Sequence, residues 1–291
     1  MLSGTEGGEF IENIDESQLL TNPTVKEIYE KYGPYQIKDL DNVNDSDLVT
    51  KGAYRLMNQA IYIGQWMPDL KTRVGKGCQV WLDGSLYEGQ WVDNMASGFG
   101  RLIHSDGDVY EGEWLHDKAN GRGKYIHYDG AIYEGEWRED RQHGQGMEVW
   151  PDRARYQGTY YNGTKHGEGK FTWDDGASYI GEFRYNNISG KGMYTWSDGR
   201  NYDGEWRDNK MHGRGTFKWT DGKVYVGEYY NDLRHGKGTL CWPDGRRYEG
   251  DFKDGKQEGF GTFTDDKGKV HQGRWQGGKP ITYYDQDGKP I

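Results

Sequence analysis

The chain has 291 residues, with 37 Lys and Arg against 47 Asp and Glu, a net charge of -10 and 33% hydrophobic residues. That balance disfavours nucleic acid, whose affinity comes from Lys and Arg on phosphates, and anionic lipid surfaces, which attract basic clusters. A mean hydropathy of -1.08 would suit a disordered chain, yet aromatics reach 15% and glycines number 46, so any core is thin and is built from Trp and Tyr rather than Leu and Ile.

Residues 1–50 read as a polar, acidic extension. Their start, MLSGTEGGEFIENIDES, has no apolar run and is acidic, unlike a signal peptide or an Arg-rich transit sequence. No stretch approaches the ~18 apolar residues of a membrane span. Cys78 and Cys241 are the only cysteines, expected as free thiols of a reducing compartment. A cytoplasmic protein is the expectation.

Within the extension, Asn22–Pro34 is organised. Asn22 can cap a helix, Pro23 suits its first position and Gly33-Pro34 stops it. Val25, Ile28, Tyr29 and Tyr32 then fall on one apolar stripe of a helix at about 23–32. A helix of ten residues is too short to persist alone, so it docks, either as a cap on the first repeats of the chain or on a partner.

From residue 52 to 278 a period takes over. Tyr-x-Gly begins at Tyr62, Tyr87, Tyr110, Tyr133, Tyr156, Tyr179, Tyr202, Tyr225 and Tyr248; the first interval is 25 and the next seven are 23. His271 takes the tenth place, with Gly273 kept. Two residues after each glycine stands an aromatic: Trp66, Trp91, Trp114, Trp137, Tyr160, Phe183, Trp206, Tyr229, Phe252 and Trp275. Gly-x-Gly comes next, from Gly75/Gly77 to Gly259/Gly261, and Asp-Gly then recurs from 83–84 to 244–245. Strand, Asp-Gly, strand is a hairpin signal, with residues 115–120 expected to link one hairpin (121–137) to the next.

A lone hairpin is marginal in water; stacked hairpins cover each other's edges. Two strands per repeat give a rise of roughly 9–10 Å, so ten repeats would make a ribbon on the order of 90–100 Å long. In Tyr133–Trp137 the rings and glycine share one face and the two glutamates the other. A three-residue turn is expected to set Tyr125 opposite Gly135 and Gly123 opposite Trp137, large against small. Glycine so repeated in strands points to rings lying across it. Residues 152–153 are Asp-Arg, for which a different turn is expected. Residues 279–291, with Tyr283, Tyr284 and a last Asp-Gly, read as a closing strand or turn.

Chemical readings of these columns are weak. His143, His166, His212 and His235 occupy one column, but neighbours separated by a repeat rise cannot share a zinc ion. Gly-x-Gly lacks both the dinucleotide and the P-loop context. Glu111/Glu113, Glu134/Glu136 and Glu182 fit cross-strand charge pairing better than acid-base chemistry. The expectation is no catalytic residue, no metal and no cofactor.

This frame resembles the MORN (membrane occupation and recognition nexus) repeat family. The resemblance implies an all-β fold: an elongated, twisted, single-layer antiparallel sheet, solenoid-like, of about ten stacked hairpins with a short N-terminal helix. Its structural and candidate interaction face is Tyr110, Trp114, Tyr133, Trp137, Tyr156, Tyr160, Tyr179, Phe183, Tyr202, Trp206, Tyr225 and Tyr229, with Val25, Ile28, Tyr29 and Tyr32 as the docking helix. It also implies a non-enzymatic scaffold whose partners are other proteins of a large cytoskeletal complex, the ciliary or flagellar axoneme and its radial spoke heads foremost. Two further readings remain open: a phospholipid tether, not favoured without a basic stripe, and a subunit of a separately encoded enzyme.

Overall fold

The computed structural model describes residues 9–10, 19–38, 45–285 and 287–290. The start of the chain, most of the acidic extension's flanks and the final Ile291 lie outside the described residues. The chain divides into two compact units, Met1–Pro151 and Asp152–Ile291. In each, an open antiparallel sheet is built by pairing every strand with its neighbours in sequence.

The first unit holds β1 (Glu9–Phe10), α1 (Pro23–Tyr32), β2 (Val49–Arg55), β3 (Ile61–Trp66), β4 (Arg73–Val80), β5 (Leu86–Val92), β6 (Met95–Ile103), β7 (Val109–Leu115), β8 (Lys118–Ile126), β9 (Ile132–Arg138) and β10 (Arg141–Val149). The second holds β11 (Arg155–Tyr161), β12 (Thr164–Thr172), β13 (Ser178–Arg184), β14 (Asn187–Thr195), β15 (Asn201–Arg207), β16 (Lys210–Lys218), β17 (Val224–Tyr230), β18 (Leu233–Cys241), β19 (Arg247–Lys253), β20 (Lys256–Thr264), β21 (Val270–Gln276) and β22 (Lys279–Tyr284). The last of these pairs with β21. β2, within and beyond the end of the acidic extension, lies between β1 and the first full repeat.

Two kinds of turn alternate. At Asp-Gly the chain closes as His127 N–H to Ala131 O and Gly130 N–H to His127 O, a type I turn followed by a left-handed residue, Gly130 at φ 98°. The loop has three residues, 128–130, one position earlier than expected. This overturns the large-against-small register: Tyr125 pairs Tyr133, Gly123 pairs Gly135 and Gly121 pairs Trp137. Residues 152–153 also keep the common turn. Arg153 takes φ 75°, and Asp152 accepts the Ala154 N–H just as Asp175 accepts that of Ala177.

The second turn replaces the expected six-residue link. Leu115 pairs Lys118 directly, and His116 and Asp117 both take positive φ, 50° and 64°. That is a type I′ turn, whose twist matches the strands it joins. It recurs at Asp208-Asn209 and Asn231-Asp232. Its second residue clasps the preceding repeat from both sides. Asn209 donates its N–H to Ile188 O at 2.9 Å, while its side-chain oxygen accepts the Ile188 N–H at 2.8 Å. Asp232 does the same to Met211.

A bulge completes each repeat, as between Gly112 and Trp114. Here Glu113 accepts the Arg122 N–H at 2.8 Å, Glu136 that of Gln145 and Glu182 that of Lys191. These three glutamates therefore stitch bulges, and Glu136 also stands opposite Arg122 in register. Glu111 and Glu134 do face cations, since Arg101, Glu111, Lys124 and Glu134 follow one another in register.

Candidate interaction surfaces

The two faces of the sheet do different things. On one, each repeat's tyrosine lies across a pair of glycines on adjoining strands. A Cβ built on Gly215 would meet two ring carbons and the hydroxyl oxygen of Tyr202 at 2.4 Å, and one on Gly204 would meet the Gly215 Cα at 2.5 Å. The hydroxyl of Tyr202 donates to Glu205 O at 2.9 Å, as that of Tyr110 does to Glu113 O. The following aromatic stands edge-on to it and to the tyrosine of the preceding repeat. In the first unit Tyr87, Trp114, Tyr110 and Trp137 alternate in this way, and in the second Tyr179, Trp206, Tyr202, Tyr229 and Tyr225. Trp indoles donate back to a glycine carbonyl, Trp206 to Gly192 O at 3.0 Å.

Of the rings expected on the interaction face, Tyr110, Tyr133, Tyr156, Tyr160, Tyr179, Tyr202 and Tyr225 are fully buried, Trp114, Phe183, Trp206 and Tyr229 are buried, and Trp137 is half-buried. Burial raises the pKa of Tyr110, Tyr133, Tyr156, Tyr179, Tyr202 and Tyr225, and Tyr248 in the same column is pushed up to about 12. These rings hold repeats together.

Beside them runs a second row: Phe171, Trp173, Tyr194, Trp196, Phe217 and Trp219, whose ring centroids succeed one another at 4.4 to 5.2 Å. All but Phe217 are half-buried. Sequence reasoning passed over this row, although Trp150, Trp173, Trp196, Trp219 and Trp242 repeat at 23.

On the opposite face of the first unit lies the chain's own N-terminal segment. Asn22 caps α1 by accepting the Thr24 and Val25 N–H groups, and its amide donates to Ser105 O and Asp83 O in two Asp-Gly turns. Gly33, at φ 71°, ends the helix. Val25, Ile28 and Leu19 are buried with Val80, Leu86, Ile103 and Val109, and Tyr29 packs against that cluster. Tyr32, the last of the stripe, is exposed. Beyond the helix the chain runs extended over the sheet. Tyr35 N–H reaches Glu88 at 3.2 Å, Gln90 donates to Lys38 O at 3.0 Å, and Arg101 donates to Gly33 O. Arg101 and Glu88 form an almost fully buried ion pair at 2.6 Å.

Among the described residues no three His, Cys, Asp or Glu side chains gather as a metal site, and Cys78 and Cys241 are not joined in a disulfide. His166 sits between the rings of Tyr161 and Tyr185, and His212 and His235 lie against Tyr230. No described helix is long and apolar enough to cross a membrane.

The MORN repeat matches residues 87–109, 110–132, 133–155, 156–178, 179–199, 202–224, 225–246 and 248–270. No curated protein matches the chain. Among solved structures, the TCP10 domain of Danio rerio CPAP in complex with a STIL peptide is 14% identical, over 79% of this chain and 97% of that one, with a TM-score of 0.43. The TCP domain of Drosophila melanogaster SAS-4 with a proline-rich motif of Ana2 is 14% identical, over 60% and 81%, with a TM-score of 0.25. A virginiamycin B lyase from Staphylococcus aureus is 15% identical, over 81% and 87%, with a TM-score of 0.16. Likenesses this distant say nothing of what the chain binds.

Proposed function

The chain belongs to the MORN repeat family, and from that premise we propose that it is a non-catalytic scaffold that holds other proteins within a cytoskeletal assembly, the ciliary or flagellar axoneme being the setting the family resemblance favours. One observation carries the reading. The tyrosine ladder, the bulge glutamates and the turn clasps are all spent on joining a repeat to its neighbour. What remains outside is a surface of half-buried rings and alternating charges, renewed every 23 residues. Such a surface suits contacts spread along a partner. The axonemal setting rests on the resemblance alone.

Crosslinking mass spectrometry on intact cells tests the proposal, together with imaging of the tagged chain. Crosslinks from its surface lysines to axonemal proteins are expected. Turnover by the isolated chain in an assay panel, or flotation with anionic liposomes in place of protein crosslinks, would overturn it.

A further inference from the structure

The residue two places before each Gly-x-Gly forms a column beside the ring ladder: Arg73, Ala96, Ala119, Gln142, Lys165, Ile188, Met211, Arg234 and Gln257. Wherever that residue is cationic, its charge lies over ladder rings. The Arg73 guanidinium is 4.4 Å from the centre of Trp91 and 5.6 Å from Tyr62. Lys165 stands 5.2 Å from Tyr156 and 5.6 Å from Tyr160. Arg234 stands 5.4 Å from Phe252 and 5.6 Å from Tyr225. The fold thus repeatedly seats a cation on this ladder, and the negative faces of the rings are the physical reason.

At Ile188 and Met211 the column is apolar and itself supplies no cation. There a cavity of about 390 Å³ opens, lined by Trp206, Trp173, Tyr194 and Trp196. Asp232 also lines it, and no Lys or Arg does. One oxygen of Asp232 accepts the Met211 N–H at 2.8 Å; the same carboxylate gives the cavity its one formal charge. The second row of rings takes cations as well, since Arg200, paired with Asp198, lies 5.6 Å from the centre of Trp196.

We propose that this cavity receives an arginine or lysine side chain projecting from a partner protein, in the place that Lys165 and Arg234 fill from within the chain. The source of the side chain rests on the scaffold reading; the site's chemistry does not. Aromatic faces and one carboxylate favour a cation over a neutral group of equal shape.

The test titrates the tripeptide acetyl-Gly-Arg-Gly-amide, and its neutral citrulline counterpart, into the full chain while following the indole N–H resonances. Saturable shifts at Trp173, Trp196 and Trp206 are expected with the arginine peptide, and about fivefold or more weaker binding with citrulline. Asp232→Asn should weaken arginine binding about threefold while leaving the fold intact, because Asn94, Asn186 and Asn209 hold the same turn position with positive φ. Met211→Lys, which supplies a cation from inside, should abolish binding. Equal binding of the two peptides, absence of saturable shifts, or shifts that survive Met211→Lys would each overturn the proposal. The probe needs no partner, so such a failure leaves crosslinked partners, and with them the scaffold reading, untouched.

Discussion

Gly215→Ala adds a single methyl group where the ring of Tyr202 already lies. The new Cβ would stand 2.4 Å from ring atoms of Tyr202, about 1 Å inside ordinary contact. That ring is fully buried, tied by its hydroxyl to Glu205 O at 2.9 Å, and flanked edge-on by Trp206 and Tyr229 at 5.1 Å each. It cannot slide without giving up one of these. Overpacking costs about 1–3 kcal/mol, and a displaced hydroxyl bond about 1 kcal/mol more. Relieving a strand glycine returns about 0.5–1 kcal/mol. The expected net loss is about 2–3 kcal/mol, from a substitution at a glycine whose own φ is unstrained. Tyr202→Ala alone should cost about 3–5 kcal/mol. With the ring gone the methyl fits, so the double variant should be no less stable than Tyr202→Ala, a coupling of about 2–3 kcal/mol. Urea unfolding followed by both tryptophan fluorescence and circular dichroism measures this, two probes being needed because a repeat array need not unfold in one step. A Gly215→Ala midpoint equal to the parent's, or costs that simply add, would refute packing of rings on glycines.

The same geometry sets three other outcomes. Free tyrosine ionises near pH 10, whereas burial pushes Tyr248 up to about 12 and raises Tyr202 and Tyr225 further. The folded chain therefore keeps protons that the unfolded one releases, and this stabilisation is whole below about pH 10 and is lost as the pH rises towards 12. The share of tyrosinate absorbance that belongs to the buried column should rise together with loss of the sheet signal; complete tyrosine ionisation with the sheet intact would contradict it. Val25→Asp puts an unpaired carboxylate beneath α1, at a cost of about 3 kcal/mol or more. Helical signal should vanish while the sheet remains, and trypsin should then cut at Lys31 and Lys38; continued protection there would count against docking through Val25. Arg153→Gly releases a non-glycine residue from φ 75° and should stabilise by about 0.5–1 kcal/mol. A lower melting temperature would show that the Arg153 side chain supplies something the turn needs.

The period, the hairpins, the helix with its Asn22 cap and the ring-on-glycine packing are all legible in the residues, because each is a local choice repeated at fixed spacing. Register was not. It depends on a bulge beside Glu113 and on type I′ turns whose positive φ falls on His116-Asp117 or Tyr185-Asn186 instead of on glycine, and neither leaves a strong mark in a strand pattern. Docking of α1 had a fainter signal. Ile61, Val80, Leu86, Ile103, Val109 and Ile126 gather at the Asp-Gly end of the early repeats, where later ones carry Thr195, Asn201 or Arg247. The buried Arg101–Glu88 pair could not be told in advance from the solvated charges of the same columns, since only a covering segment distinguishes them.

The turn clasps reach backward by a constant step, Asn209 to Ile188 and Asp232 to Met211. A repeat leaving the ribosome therefore fastens onto one already made and has nothing downstream to wait for. The span of chain to be closed stays the same however many repeats have gone before, and short closures are quick. A duplicated cassette of 23 residues arrives with both halves of its fastening, the accepting turn and the donating strand, so such a gene can lengthen its product without redesigning any junction.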